Sequence, residues 1–288
     1  MTKRGLISIG TNSTRALVAE LNGNPEVILQ RSTGTRLGEG LRDNGELQKE
    51  AMRRTLDAVE SHTRAVRQLT DRLATIATSA VRRANNAGDF AHDVERISGV
   101  TLQTISGDEE ARASYMGATS GLDRDRTYGV VDVGGGSTEY ATADDHVSCE
   151  IGAVRLTELF PKLSGEADTP TLQAAQACVR EALRPLHDFD RVERLVFVGG
   201  SATTVAAIVK RGAADEYSTL ERAQLQGVIT RLSSLPTERR KNIPGMIAQR
   251  ADILLAGALI LDEVFVTTLH QNAVVSHRDL LLGYLLTH

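Results

Sequence analysis

Three short turns rich in glycine, serine and threonine follow apolar, β-rich runs: Gly10-Thr11-Asn12-Ser13, Gly134-Gly135-Gly136-Ser137 and Gly199-Gly200-Ser201-Ala202. Glycine lets a chain turn sharply and lets backbone approach a ligand closely. The N–H groups of such turns, and of helix N-termini, form nests for anions. One such turn needs no ligand, because a hairpin requires glycine anyway. Three in one chain, two of them related by repetition, point to a phosphate cradle. None carries the Lys-Ser/Thr of a P-loop, and none opens a helix as G-x-G-x-x-G.

Two sets of acidic residues could do chemistry with such a cradle. In Ile105-Ser106-Gly107-Asp108-Glu109-Glu110-Ala111-Arg112, Ser106 and Glu109 stand three apart before a helical pattern. That spacing is a capping box, which gives Glu109 a structural task and leaves Glu110 available. Near a phosphate cradle, Glu110 would orient and deprotonate an attacking water. Asp108, Glu109 and Glu110 would equally satisfy the positive end of the helix dipole, so both readings stay open here. Asp132 and Glu139 bracket the second turn, at strand ends where hard oxygen ligands suit Mg²⁺ held against substrate phosphates, although acids flanking a hairpin are often only solvated. Arg82, in Thr78-Ser79-Ala80-Val81-Arg82-Arg83, follows an apolar run and has the planar fork for a bidentate phosphate contact; Arg83 reads as surface charge. The seven histidines show no H-x-H or H-E-x-x-H spacing, and no G-x-S-x-G elbow occurs, which disfavours metalloprotease and serine-hydrolase chemistry.

The elements that position these residues are readable from an internal repeat. Leu6 to Arg15 aligns without gaps on Val130 to Glu139, at an offset of 124 residues. Each copy reads as strand, tight turn, strand, and so predicts two related domains. Met52, Leu56, Val59 and Val66 have helical spacing within 47–69; 73–78 and 100–105 read as buried strands. A helix is expected from Thr169-Pro170 with Thr169 as its cap, and a strand at Leu195 to Val198 runs into the third glycine turn. Residues 278–286 read as a short amphipathic helix. The boundary falls where glycine and charge gather, near residues 120–126, giving 1–122 and 123–288, with a last helix at about 276–288 that packs back on the first domain.

Composition narrows the field. The 288 residues are 41% hydrophobic and 24% charged, as in globular proteins, and exclude a disordered or fibrous chain. A net charge of −4 argues against a broad nucleic-acid or anionic-membrane footprint. Of 33 basic residues only Lys3, Lys49, Lys162, Lys210 and Lys241 are lysine; the rest are arginine, a skew that compositional bias explains as readily as phosphate binding. Cys149 and Cys178 lack partners at metal-ligand spacing and read as core thiols. There is no apolar run of about 18 residues and no signal-like start, so a cytoplasmic location is expected.

Taken in order, I-S-I-G-T-N-S-T-R (Ile7 to Arg15), T-S-A-V-R (Thr78 to Arg82), I-S-G-D-E-E-A-R (Ile105 to Arg112), D-V-G-G-G-S-T-E (Asp132 to Glu139) and F-V-G-G-S-A-T-T (Phe197 to Thr204) resemble the exopolyphosphatase/guanosine pentaphosphatase family. R-A-D-I-L-L-A-G-A from Arg250 and S-H-R-D-L-L-L-G from Ser276 fit as well. The resemblance implies an α/β fold of two ribonuclease-H-like domains of the actin, sugar-kinase and Hsp70 superfamily, with an interdomain cleft. It also implies Glu110 as catalytic base, Asp132 and Glu139 as Mg²⁺-associated acids, and Gly10, Thr11, Asn12, Ser13, Gly134, Gly135, Gly136 and Ser137 as phosphate loops. Arg82 matches an arginine on the polyphosphate chain, and Gly200-Ser201 belong to the third glycine turn. Inorganic polyphosphate is the expected substrate, with guanosine penta- or tetraphosphate as the alternative, and homodimerisation is a family-level expectation. The length leaves no room for the extra helical domains of longer relatives, which implies less processive action. One position departs: where the family begins D-x-G, this chain has Ser8, the repeat counterpart of Asp132, which supplies a hydroxyl but no charge for a metal. A non-catalytic sensor of polyphosphate is therefore a further alternative.

Overall fold

The computed structural model describes residues 3–213 and 215–288, with the side chains of residues 42 and 43 excepted. The chain divides into two compact units, one of residues 1–121 with 280–288 and one of residues 122–279.

The first unit is built on β1 (Lys3–Ile9), β2 (Ser13–Glu20), β3 (Glu26–Gly34), β4 (Leu73–Ala77) and β5 (Leu102–Thr104). They form one sheet in the order β3-β2-β1-β4-β5, antiparallel through the β1-β2-β3 meander and parallel from β1 to β4 to β5. Strand side chains alternate between faces, which sorts the core. Ile7, Ile9, Ala16 and Val18 pack with Val59, Val66, Phe90 and Val94. These come from α2 (Lys49–Arg67) and α4 (Ala87–Ser98), and short helices α1 (Leu41–Asn44) and α3 (Ser79–Arg83) complete this run. Leu6, Leu17 and Ile76 pack instead with Ala113 of α5 (Gly107–Thr119) and with the chain's last helix.

The second unit repeats the plan. β6 (Tyr128–Val133), β7 (Thr138–Ala141), β8 (His146–Cys149), β9 (Arg194–Val198), β10 (Tyr217–Glu221) and β11 (Asn272–Ser276) form a sheet in the order β10-β11-β9-β6-β7-β8. The β8-β7-β6 meander is antiparallel, β6-β9-β11 is parallel, and β10 is an antiparallel edge. Helices α6 (Ala153–Leu159), α7 (Thr169–Ala182), α8 (Gly199–Lys210), α9 (Arg222–Ser233), α10 (Thr237–Arg240) and α11 (Leu254–Thr268) enclose its core. In α11 every residue from Leu254 to Phe265 is buried, as expected of a helix apolar nearly all round. The repeated strand-turn-strand unit is thus observed, as β1-β2 and β6-β7, within an α/β fold of two mixed sheets.

Two local expectations are corrected. The cap of α7 is Asp168, whose carboxylate accepts from the Thr171 N–H at 2.9 Å; Thr169 is already inside the first turn. Hydrogen bonds from Lys162 and Thr171 hold the Asp168 carboxyl well below the usual range. The closing helix, α12 (Leu280–Thr287), is not amphipathic, because Leu280 to Leu285 are all buried. It lies on α5 so closely that a Cβ on Gly283 would overlap the Ala113 carbonyl. Cys149 is buried, and burial pushes its thiol up to about 11, with Glu139 and Glu150 adding to the shift; Cys178 is half-buried against the same core.

Candidate functional site

The first turn closes through a bond from the Gly10 N–H to the Ser13 carbonyl at 3.0 Å, and the second through Gly134 N–H to Ser137 at the same 3.0 Å. The ladders agree as well: Ser8 faces Arg15 and Ile9 faces Thr14, while Asp132 faces Glu139 and Val133 faces Thr138. The repeat is therefore a match of geometry as well as of letters. In each copy the neighbouring chain occupies the turn's carbonyls. Gly38 donates to Thr11 O at 2.9 Å, and Thr35 and Arg36 donate to Asn12 O at 3.0 and 2.9 Å. In the second copy Ala153 donates to Gly134 O at 2.9 Å, while Val154 and Arg155 donate to Gly135 O at 2.9 and 3.1 Å. Among the described residues no backbone carbonyl accepts from the N–H groups of Thr11, Asn12, Gly135, Gly136 or Ser137. A turn whose carbonyls are satisfied and whose N–H groups have no backbone acceptor is a donor set for an anion.

Asn12 adds an orphan. Its Nδ2 donates to Ser13 Oγ at 3.2 Å, but its buried Oδ1 has no hydrogen-bond partner. Thr11, Asn12 and Ser13 are all buried, as is Ser137.

Glu110 sits in the first turn of α5. The capping box forms as expected: Ser106 Oγ accepts from Glu109 N–H at 3.1 Å, and Glu109 Oε2 accepts from Ser106 N–H at 2.7 Å. These bonds from Ser106 hold the Glu109 carboxyl below its ordinary value. Glu110, only 7% exposed, points elsewhere. Its Oε2 lies 3.4 Å from Nη1 of Arg82, which also donates to the Ile105 carbonyl at 2.9 Å. Arg82 reaches this place because β4 ends at Ala77 and α3 begins at once, its first turn tied to β1 by Thr78 N–H to Ile9 O at 3.2 Å. The candidate base and the candidate phosphate-binding cation are thus held together in one unit.

In the second unit Asp132 ends β6 and is 9% exposed; Glu139 faces it across the ladder and is 1% exposed. Ser148 donates to Glu139 Oε1 at 2.8 Å. Asp132 is also in register with Val198, the last residue of β9, so the start of α8 lies beside it. Gly199 there has φ +81°, and a Cβ on it would run into the Asp132 carboxylate. Gly200 faces Arg250, whose guanidinium fills the space a side chain would take. Ser201 is buried against Gly257. Asp132, Gly199, Gly200 and Arg250 therefore form one cluster at the N-terminus of α8. Arg250 belongs to the R-A-D-I-L-L-A-G-A stretch, whose sequence alone assigns it no role. The signal available was the glycine pair itself, which marks something close against the backbone. Two facing carboxylates are hard oxygen ligands of the kind Mg²⁺ takes, while the N-terminus of α8 and Arg250 beside them favour an anion such as phosphate. Among the described residues no three His, Cys, Asp or Glu side chains form a metal-holding group.

Two α/β units that each carry a buried Gly/Ser/Thr turn, one also holding a carboxylate–arginine pair and the other an acidic pair at its turn, are suited to phosphate. The sequence profile of the Ppx/GppA phosphatase family matches residues 17–281, and the chain belongs to that family. It is 30% identical to Exopolyphosphatase 2 of Mycobacterium tuberculosis over 100% of this chain and 98% of that one. It is 29% identical to a bifunctional 3-dehydroquinate synthase/phosphatase of Fusobacterium nucleatum, over 98% of this chain but only 46% of that longer protein. The crystallised Ppx/GppA enzyme of Aquifex aeolicus superposes with a TM-score of 0.82 at 27% identity, covering 100% of this chain and 99% of that one.

Proposed function

We propose that this phosphatase removes the terminal phosphate of inorganic polyphosphate. The observation that carries the reading is the buried Arg82–Glu110 pair, in the same unit as the turn at Gly10 to Ser13 and joined to the end of β1 through the bond from Thr78 N–H to Ile9 O. A buried carboxylate held by a guanidinium is a ready general base for water, and the guanidinium offsets phosphoryl charge. In each unit the turn offers donors to phosphate oxygens: the N–H groups of Thr11 and Asn12 with the Ser13 hydroxyl in one, and those of Gly135, Gly136 and Ser137 with the Ser137 hydroxyl in the other. Gly200 and Ser201 offer the first N–H groups of α8 to an anion. Asp132 and Glu139 would hold Mg²⁺, which when bound neutralises phosphate charge. The full-length match to a protein named for exopolyphosphatase activity supports this substrate.

The decisive measurement is phosphate release from polyphosphate by the native chain and by Glu110→Gln. Loss of about 10²- to 10⁴-fold in kcat with unchanged thermal stability is expected; full retention excludes Glu110 as the base. Running guanosine pentaphosphate in parallel separates the two substrates. Saturable polyphosphate binding without turnover at any Mg²⁺ concentration would instead identify a sensor. Homodimeric association and a cytoplasmic location belong to the same proposal and are checked by sedimentation and cell fractionation. Among the described residues no helix is long and apolar enough to cross a membrane.

A further inference from the structure

The first unit holds a cavity of about 440 Å³ at the N-terminal ends of β1 and β4, bounded also by α12. Arg4, Asp71, Arg72, Tyr284, Leu285 and His288 line it. The hairpin turn lies at the other end of β1, beyond Ile9.

Arg4 and Arg72 are the anomaly. β1 and β4 are parallel, with Gly5 opposite Leu73 and the Gly5 N–H donating to the Arg72 carbonyl at 2.7 Å, so Arg4 and Arg72 precede this pair on adjoining segments and both line the same cavity. Among the described residues, neither guanidinium has a carboxylate or hydrogen-bond partner, although most other arginines in this unit do. Two like charges lining one cavity repel each other unless an anion lies between them. Two guanidinium forks lining one cavity suit a tetrahedral dianion, each able to give paired N–H donors. The rest of the lining does not suit a bare ion. Tyr284 and His288 are stacked, ring centroids 4.1 Å apart at 9°, and the Tyr284 hydroxyl is fixed by donation to Gln103 Oε1 at 2.8 Å. Leu73, Ala74 and Leu285 add apolar wall, and the Asp71 carboxylate is an acceptor for hydroxyl or amino groups. A cavity of this size falls within the roughly 300–1,000 Å³ of small-molecule sites.

We propose that this cavity binds a nucleoside monophosphate: phosphate between Arg4 and Arg72, a sugar hydroxyl or base amine on Asp71, and the base against the Tyr284–His288 rings. The site is separate from the hairpin turns and does not depend on the hydrolytic reading.

Calorimetric titration of the full chain with adenosine and guanosine 5′-monophosphate tests it, alongside Glu110→Gln, Arg4→Ala, Arg72→Ala and the double variant. Saturable binding of at least one nucleotide is expected, unchanged in Glu110→Gln and weakened about tenfold in each arginine variant, a loss of about 1.4 kcal/mol. A second readout needs no nucleotide. Removing either arginine relieves the like-charge pair, so the melting temperature without ligand stays level or rises, while the increase in phosphate buffer expected of the native chain shrinks. No saturable binding by either nucleotide, or binding unaltered in the Arg4→Ala/Arg72→Ala protein, overturns the proposal.

Discussion

Arg82 Nη1 stands 3.4 Å from Glu110 Oε2 and 2.9 Å from the Ile105 carbonyl, so one guanidinium nitrogen links α3, the end of β5 and the first turn of α5. The carbonyl bond orients the arginine, and the longer contact to Glu110 leaves room for a stronger partner. Arg82→Ala should lower kcat/KM for polyphosphate by about 10- to 100-fold, the effect of one charge-assisted hydrogen bond. Arg82→Lys should recover only part, because an ammonium can stand in for Nη1 but has no second fork nitrogen to offer phosphate. Equal rates for all three proteins would show that the pair is only structural.

Ser8 is the second position on which chemistry turns. It is 4% exposed and takes in β1 the place that Asp132 takes in β6. A carboxylate there would be buried, which costs stability unless a cation or hydrogen bonds compensate it. Ser8→Asp is therefore expected to melt lower than the native chain in chelator and to recover with Mg²⁺. The Mg²⁺ concentration for half-maximal phosphate release should fall. Identical Mg²⁺ titrations for the two proteins would show that this position makes no metal contact.

Much of this arrangement was legible in the chain because it rests on local rules. The hairpins announce themselves through alternating strands around Gly-containing turns, and the gapless repeat sets their correspondence, down to Ser8–Arg15 against Asp132–Glu139. The Ser106–Glu109 capping box is likewise a three-residue rule that the fold obeys. What was not legible depends on partners distant in sequence. Burial of α12 on every side follows from its seat on α5, about 170 residues away, so its own pattern misled. Arg250 becomes interesting only once Gly200 lies against it. The Arg82–Glu110 contact joins residues 28 apart through two separate strand–helix turns.

Arg240, at the end of α10, is fully buried, and nothing in the sequence distinguishes it from the other arginines. Its guanidinium donates to the carbonyls of Leu232 and Leu235 at 3.0 Å, Leu163 at 2.8 Å and Ala251 at 3.2 Å, and to Gly165. Burial brings its pKa down to about 10, against the pull of Asp252. One side chain therefore satisfies the ends of several elements. Arg240→Met keeps the apolar stem but leaves these carbonyls without their donor, and a loss of roughly 3–5 kcal/mol in unfolding free energy is expected. Arg240→Lys should rescue little, because three ammonium protons cannot reach five acceptors. Urea unfolding of the three proteins checks both statements; a change within about 0.5 kcal/mol for Arg240→Met would contradict them.

His62 connects the same kind of buried bonding to pH. It projects from α2 with Nε2 3.2 Å from the Thr14 carbonyl and 3.4 Å from Thr33 Oγ1, while its buried Nδ1 has no hydrogen-bond partner. Burial lowers its pKa below the ordinary 6.5, the Thr14 carbonyl opposes the shift, and Arg31 adds to it. The folded chain therefore resists a proton that the unfolded chain accepts near pH 6.5, and the unfolded state binds more protons just below that value. Stability from this group is complete above pH 6.5 and is lost as pH falls toward the lower folded pKa. The consequence reaches the first turn, because Thr14 Oγ1 is 3.1 Å from Thr35 Oγ1 and Thr35 N–H holds the Asn12 carbonyl at 3.0 Å. Urea midpoints measured from pH 7.5 to pH 5 should decline more steeply for the native chain than for His62→Gln, which can keep a donor on Thr14 and does not titrate. Parallel declines in the two proteins would remove His62 as the source.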